Sequence, residues 1–173
     1  MNSPSPKKPV SMQSGKKDIT IGFAEDFKDI DLDRGRLKKL IRHLCRRFGL
    51  GKATVSIAVL GDEGIRKINR KFLKKDAATD VISFDLSDEG QSEKVFELVV
   101  NGEQARREGL ARGHGPEGEL ALYVVHGLLH NLGFDDSVGV KAEKMHRLED
   151  EILQQFGYGI IYKDRASSGA KKK

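Results

Sequence analysis

Two histidines four residues apart, His126 and His130, are the side chains in this sequence best arranged for chemistry. An α-helix turns once about every 3.6 residues, so both imidazoles lie on one helix face and can bind the same metal ion. Gly133 follows, and glycine commonly ends a helix because it accepts a positive φ. The chain can then turn back, and Asp136 is expected to supply a third ligand.

Two imidazoles and one carboxylate predict a catalytic zinc site. Structural zinc sites are closed by about four protein ligands, whereas catalytic sites use about three and keep a position for water or substrate. Two histidines alone would more often be core residues, but a core requires neither Gly133 nor Asp136. The spacing His-x-x-x-His-x-x-Gly-x-x-Asp is used by zinc hydrolases with a long helix motif. Asp135 is the competing carboxylate, and we expect it to orient a ligand or cap a helix.

Gly127, between the two histidines, argues against peptide hydrolysis. Peptidases with this helix motif carry a glutamate directly after the first histidine, and that glutamate is the general base. Glycine has no side chain to move a proton, and it costs a helix about 1 kcal/mol relative to alanine. Helix stability therefore does not explain a glycine at this position. We expect Gly127 to leave space above the metal for a bulky substrate.

The positive charge of the chain lies mostly at its ends. Residues 1–17 carry four lysines and no acid, and residues 163–173 carry a net charge of +4, so a total of +5 leaves −3 on residues 18–162. Two local basic blocks remain, and each can attract phosphate or simply form a solvated helix face. The first block is Arg34, Arg36, Lys38, Lys39, Arg42, Arg46 and Arg47, and the second is Arg66, Lys67, Arg70, Lys71, Lys74 and Lys75.

The hydrophobic periodicity predicts the elements that position the histidines. Strands are expected over residues 18–23, 54–60, 79–86 and 95–100, and helices over residues 33–48, 62–72, 104–112, 116–132 and 140–156. In the second helix, Ile65, Ile68, Asn69 and Phe72 are expected to face inward. This order predicts a small α+β protein with a four-stranded mixed sheet packed with about five helices.

Composition predicts one soluble domain, residues 18–162, between disordered basic tails at residues 1–17 and 163–173. The only cysteine, Cys45, is expected to be a core residue in a reducing compartment. The sequence has no apolar run of membrane-spanning length and no apolar secretory signal at its N-terminus. The cytoplasm is therefore the expected location.

Two motifs together carry a family resemblance. The first is His126-Gly127-x-Leu129-His130-x-x-Gly133-Phe134-Asp135, followed by Met145 and Glu149. The second is Asn69 with Asp76-x-x-Thr79-Asp80-Val81-Ile82-Ser83-Phe84. With these motifs the chain resembles the YbeY family of bacterial rRNA-maturation endoribonucleases over roughly residues 18–160. The resemblance implies a zincin-like fold without the peptidase glutamate, one Zn²⁺ held by three residues, and single-strand-specific RNA cleavage. It also implies a role in 3′-end maturation of small-subunit rRNA and in ribosome quality control.

The chain departs from the family pattern at three positions. Asp136 stands where the third ligand is most often histidine, Leu73 where arginine is usual, and Ala78 where proline is usual. A carboxylate ligand adds negative charge, so a bound water should be less acidic. Arg70, Lys74 and Lys75 are the candidates for RNA contact. A lysine would supply only a point charge in place of the bidentate fork of the missing arginine.

Two alternatives to an endoribonuclease stay open. A zincin-type metallopeptidase would need a base from elsewhere, for example Asp135 or Glu149. A non-catalytic ribosome-binding factor with structural zinc is suggested by Leu73. The sequence indicates no general base for RNA cleavage, so either water or the RNA 2′-hydroxyl could attack. Two histidines outside the motif, His114 and His146, are expected to face solvent, although His146 on the final helix could approach the site.

Overall fold

A computed structural model describes residues 18–159, and both predicted tails lie outside this range. The described elements are β1 (Asp18–Glu25), α1 (Arg34–Arg47), β2 (Lys52–Leu60), α2 (Asp62–Leu73), β3 (Val81–Asp85), β4 (Glu93–Asn101), α3 (Gly102–Arg112), α4 (Pro116–Asn131) and α5 (Gly139–Gln155). The predicted α+β class and the order of strands and helices are confirmed.

The strands form one four-stranded sheet in the order β1-β2-β4-β3. β1 and β4 both run parallel to β2, whereas β3 pairs with β4 in the antiparallel direction. The sheet is therefore mixed, as predicted. The short strand β3 lies at its edge, and Ser83 of β3 pairs with Leu98 of β4. This edge strand is important for the site because α4 packs beside it.

The two faces of the sheet are covered differently. Alternate residues of β2, such as Val55 and Ile57, are buried in the main core together with side chains from α1, α4 and α5. On the opposite face, Ile65 of α2 packs with Ile82 and Val99 in a smaller cluster. α4 is almost completely buried up to its last turns, so the two histidines emerge from a helix that the core holds firmly. Within residues 18–159, no helix is both long and apolar enough to span a membrane.

Local capping sets the ends of two helices as the sequence predicts. The Asp33 carboxylate accepts a hydrogen bond of 2.9 Å from the backbone N–H of Arg36 and so caps α1. α4 begins at Pro116, and its first turn contains Glu117 and Glu119, where the helix dipole favours negative charge. Cys45 is fully buried in α1, which confirms its predicted place in the core.

Two details of the sequence-based prediction are wrong. Phe72 was expected to face inward but is 55% exposed, because α2 reaches its end there and only the edge of the ring contacts Phe84. β3 begins at Val81 instead of at residue 79. The reason is local, since the Asp80 carboxylate accepts hydrogen bonds from the Thr79 hydroxyl and the Val81 N–H.

Candidate metal centre

The last turns of α4 bring both histidines to one point. The Nε2 atoms of His126 and His130 lie 3.0 Å apart. Asp136 approaches from the following loop, with its Oδ2 atom 3.5 Å from Nε2 of His126 and its Oδ1 atom 3.5 Å from Nε2 of His130. The structure thus brings together the three residues that the sequence proposed as metal ligands, with one ligand atom from each within 4.8 Å of the others.

A glycine turn carries the chain from the histidines back to Asp136. Gly133 has a φ of +93°, in the left-handed region where glycine is favoured, as the sequence predicted. Its backbone N–H donates to the His130 carbonyl at 3.0 Å, and the N–H of Phe134 donates to the Leu129 carbonyl at 3.0 Å. These bonds end α4 and reverse the chain, which places Asp136 beside the helix.

The neighbouring carboxylate, Asp135, has a different role. It accepts hydrogen bonds from both the N–H and the hydroxyl of Ser137 and from the ammonium group of Lys141. These bonds, with the Ser137 hydroxyl first in effect, lower the pKa of Asp135 to about 2. Asp135 is therefore engaged with the residues that precede α5, and the expectation that it caps a helix is wrong, because α5 has no side-chain cap.

Hydrogen bonds on the outer side of each ring fix the tautomers of both histidines. Nδ1 of His126 lies 2.6 Å from a carboxylate oxygen of Glu149, and Nδ1 of His130 lies 3.1 Å from the backbone carbonyl of Phe134. Both partners are acceptors, so each Nδ1 must carry the proton. In a neutral imidazole the other nitrogen, Nε2, then carries a free lone pair. Both Nε2 atoms can therefore bind a cation.

The resulting donor set fits a zinc ion. Two nitrogen lone pairs and a carboxylate converge on one point, and they would repel one another without a cation between them. Tetrahedral zinc with Zn–N distances of about 2.0–2.1 Å sets its ligand atoms about 3.3 Å apart. The observed separations of 3.0 and 3.5 Å lie on either side of that value. His126, His130 and Asp136 therefore offer the chemistry and the spacing that zinc needs.

Glu149 contacts His126, a contact that the sequence did not predict, although it named Glu149 as a motif residue and as a possible base for a peptidase. It lies on α5, is fully buried, and uses Oε1 to accept from His126, while Oε2 has no hydrogen-bond partner among residues 18–159. Burial alone would lower the pKa of His126, but the hydrogen bond and the charge of Glu149, helped by Asp80 and Asp136, raise it above its ordinary value. The available signal was the match of Glu149 to the family motif.

Gly127 faces the sheet, and the expectation that it leaves space above the metal is wrong. A Cβ at this position would lie 2.9 Å from a methyl group of Val81 and 3.2 Å from one of Leu98. The residue between the two histidines points away from their shared face, because successive helix positions are separated by about 100°. The missing side chain allows α4 to approach β3 and β4 closely, which also places His126 at the sheet edge.

The three candidates for RNA contact lie where α2 ends and the loop to β3 begins. Arg70 is 56% exposed and forms an ion pair of 3.3 Å with Asp76. Lys74 ends α2 with a φ of +58°, and both Lys74 and Lys75 are exposed. The side chain of Asn69 supports this loop by donating to the Ala77 carbonyl at 2.8 Å. The loop continues directly into β3, which packs against α4.

His114 is not the surface residue that the sequence suggested. Its ring is only 10% exposed, and Nε2 lies 2.5 Å from the carboxylate of Glu119, which is buried in the first turn of α4. The glycines on either side hold this short connection against the end of α3, because the N–H groups of Gly113 and Gly115 both donate to the Gly109 carbonyl. His114 lies outside the metal cluster, as does His146, which lies half-buried on α5.

Comparisons with known proteins agree with this geometry. A family model described as endoribonuclease YbeY matches residues 23–157. A protein of that name from Lysinibacillus sphaericus is 31% identical over 153 residues, covering 82% of this chain and 98% of the relative. Another from Aquifex aeolicus is 32% identical over 129 residues, covering 73% and 86%. A solution structure of a Thermotoga maritima protein, 21% identical with a TM-score of 0.52 over 90% of this chain and 99% of that one, shares the fold.

Proposed function

The chain belongs to the endoribonuclease YbeY family, and from this membership and the site we propose that it is a zinc-dependent endoribonuclease specific for single-stranded RNA. The observation that carries the proposal is the convergence of the Nε2 atoms of both histidines and the Asp136 carboxylate at the end of α4. We further propose that the protein acts in the cytoplasm on the 3′ end of small-subunit rRNA and in ribosome quality control. Its partners would then be rRNA and the small ribosomal subunit.

His126, His130 and Asp136 would hold the metal ion. Zinc bound at such a site supplies a Lewis acid for a phosphate oxygen and lowers the pKa of a water molecule. The ligands themselves are preorganised by the protein, since Glu149 and the Phe134 carbonyl keep both rings in the metal-binding tautomer. The negative charge of Asp136 would make this centre less electrophilic than one with three histidines.

The surroundings of the ligands suit a flexible polymeric substrate. The side chains of His126, His130 and Asp136 are 19%, 33% and 36% exposed, so the centre opens to solvent instead of lying in a closed cavity. Single-stranded RNA can bend to bring one phosphate to such a site, whereas a rigid duplex is harder to place. We propose that Arg70, Lys74 and Lys75 contact the RNA backbone. Leu73, which is 47% exposed, leaves that contact without the arginine usual in the family.

Neither of the two carboxylates that could serve a metallopeptidase as general base is free to do so. Asp135 is engaged by Ser137 and Lys141, and Glu149 is buried with one oxygen bound to His126. A side chain at position 127 would meet the sheet instead of a bound substrate. The geometry therefore supports hydrolysis of a phosphodiester better than hydrolysis of a peptide.

A direct comparison of substrates tests the proposed function. Protein depleted of metal with a chelator and then reloaded with zinc is given a single-stranded RNA, the same RNA as a duplex, and casein. We expect zinc-dependent internal cleavage of the single strand, little cleavage of the duplex and no turnover of casein. Zinc-dependent casein turnover without RNA cleavage would favour the peptidase. Binding of rRNA without cleavage of any RNA would favour the non-catalytic ribosome-binding factor.

A further inference from the structure

Helix α1 carries a high density of positive charge, and repulsion between these charges destabilises the helix. Between Arg34 and Arg47 it has seven basic side chains and no acidic one, although residues 18–162 carry a net charge of −3. Like charges three or four residues apart destabilise a helix, and the first turn lacks the acidic residues that the helix dipole favours. The helix dipole favours Arg46 and Arg47 in the last turn, but it does not account for the five cations before them, which a negatively charged partner would accommodate.

Four of these cations are engaged within the protein. Arg34 pairs with Glu25, Arg36 with Glu117 and Arg47 with Glu151, and Lys38 lies over the ring of Phe23. The other three, Lys39, Arg42 and Arg46, have no carboxylate within 4.0 Å in the part of the chain that the structure describes. Their spacing places them on one helix face over about 10 Å. We call these three residues the α1 basic face.

The α1 basic face lines a groove on the surface of the protein. The groove has a volume of about 520 Å³ and is lined by the three residues together with His43 and Arg47. Arg47 also lines a second groove of about 400 Å³, whose opposite side includes Lys144 and Arg147 of α5. Glu151 is the only acid among the described residues that line these two grooves, and it is paired with Arg47.

Contacts at the end of the second groove reach the metal ligands. The ring of Phe48, which follows α1, packs edge-on against Phe134 with ring centres 5.1 Å apart. The carbonyl of Phe134 accepts the hydrogen bond from Nδ1 of His130 at 3.1 Å. Arg47 therefore links the two grooves, and Phe134 links the second groove to the back of the His130 ring.

We propose that the α1 basic face binds the phosphate backbone of single-stranded RNA outside the cleaved segment. The chemistry favours RNA over a protein partner, because protein interfaces are depleted in lysine and enriched in aromatic residues, whereas exposed unpaired cations attract phosphate. The large exposed hydrophobic side chains of the described residues all lie outside α1. The proposal rests on the proposed function in taking RNA as the ligand, and it adds a second contact surface on another element.

Binding to RNAs of two lengths tests this surface. The full-length triple variant Lys39→Gln, Arg42→Gln, Arg46→Gln is compared with wild type and with a matched variant, Lys28→Gln, Lys94→Gln, Arg106→Gln, which loses the same charge on other elements. Fluorescence anisotropy follows labelled oligouridines of about 24 and about six nucleotides across a salt series, with chelator present to prevent cleavage. Circular dichroism melting checks that all three proteins are folded.

The dependence of RNA affinity on RNA length and on salt concentration decides whether the proposal holds. For single strands, each phosphate contact contributes about 0.7 to the magnitude of the slope of log K against log salt concentration. The α1 variant loses three cations, so the magnitude of its slope should be smaller by about 2. We expect its affinity for the long RNA to fall by about tenfold or more at low salt, with affinity for the short RNA within about twofold of wild type. Equal losses in the two variants, or an unchanged slope in the α1 variant, would overturn the proposal and leave a protein as the partner of α1.

Zinc-dependent cleavage measured in parallel separates this proposal from the proposed function. If wild type cleaves the RNA while the α1 variant binds the long RNA normally, only the α1 proposal fails. If no protein cleaves RNA but the α1 variant still loses long-RNA affinity selectively, the surface stands and the nuclease function fails.

Discussion

At the scale of single residues, the site depends on which atom of each histidine carries the proton. Glu149 and the Phe134 carbonyl each accept from an Nδ1 atom, and this leaves both Nε2 atoms available 3.0 Å apart. Asp136 completes the set, whereas Asp135, one position earlier, is held by Ser137. The chemistry of the centre is therefore set by hydrogen bonds behind the ligands as much as by the ligands.

The first prediction concerns the adjacent carboxylates Asp135 and Asp136. Asp136→Ala should lower zinc affinity by at least about 100-fold, because it removes a direct ligand, a larger loss than outer contacts cause. Asp135→Ala should leave zinc affinity near that of wild type, because Asp135 contacts Ser137 and Lys141. Competition with a chromophoric chelator measures both. A larger loss in the Asp135 variant would show that the wrong carboxylate has been assigned.

Glu149 gives the second prediction. Glu149→Gln keeps the size of the side chain and an acceptor for Nδ1 of His126 but removes the charge that orients and polarises the ring. We expect zinc affinity to fall by about 10–100-fold. Glu143→Gln on the same helix, which removes only an exposed ion pair with Arg147, should have no such effect. Equal zinc affinity of the Glu149 variant and wild type would contradict the orienting role.

At the scale of elements, the close contact between α4 and the sheet edge positions the site. Gly127 allows this contact, since a Cβ would lie 2.9 Å from Val81 on β3 and 3.2 Å from Leu98 on β4. The end of α2, with Arg70, and the following loop, with Lys74 and Lys75, lead into β3. A change in the spacing of α4 and β3 should therefore affect both the metal ligands and the RNA-contact loop.

The third prediction concerns Gly127. Gly127→Ala gains about 1 kcal/mol of helix propensity but overpacks the interface with β3 and β4, which costs about 1–3 kcal/mol. We expect a net loss of about 1 kcal/mol in the free energy of unfolding, measured with urea. Gly139→Ala, at the open start of α5 where a Cβ would meet nothing within 4 Å, is the matched control and should not destabilise. A Gly127→Ala protein as stable as wild type would place position 127 away from the sheet.

Periodicity and capping residues were sufficient to predict the elements of the fold. Helix signals are local, so they were predicted correctly: α1 begins after Asp33, α4 begins at Pro116, and Gly133 follows the end of α4. The errors at Gly127 and Phe72 concern residues whose surroundings come from distant parts of the chain, whereas those at β3 and His114 arise from contacts with near neighbours in sequence. Gly127 is constrained by a strand nearly 50 residues earlier, and Phe72 is exposed because nothing within residues 18–159 covers it fully.

The site was predictable to a similar degree. The spacing of His126, His130 and Asp136 was sufficient to bring them together in the prediction, because one helix turn and one glycine turn determine their geometry. Glu149 was not assigned, since its contact with His126 depends on how α5 packs against α4.

At the scale of the whole molecule, one core connects the basic helix α1 with the helices of the metal centre. Side chains from α1, α4 and α5 share this core, and Cys45 lies fully buried within it. Positive charge is distributed unevenly around this core, with the α1 basic face on α1 and the metal centre at the end of α4. The proposed RNA-binding role of α1 requires a long RNA to contact both places.

Cys45 gives the fourth prediction, which reports on this core. Burial raises the pKa of its thiol from an ordinary value of 9.0 to about 11. The folded state therefore keeps the proton when the unfolded chain has lost it, so stability falls as pH rises from about 9 to about 11. Two pKa units correspond to a loss of up to about 3 kcal/mol. Urea unfolding at both ends of this range should show a larger decrease for wild type than for Cys45→Ala, and equal decreases would contradict a buried thiol.

The central claim is that one zinc ion on His126, His130 and Asp136 makes this protein a ribonuclease. The most direct measurement is the zinc content of purified protein beside cleavage of single-stranded RNA, for wild type, His130→Ala and the control His146→Ala. We predict about one zinc per chain and cleavage for wild type and the control, and neither for His130→Ala. Wild-type zinc content in His130→Ala, or RNA cleavage by that variant without metal, would contradict the claim.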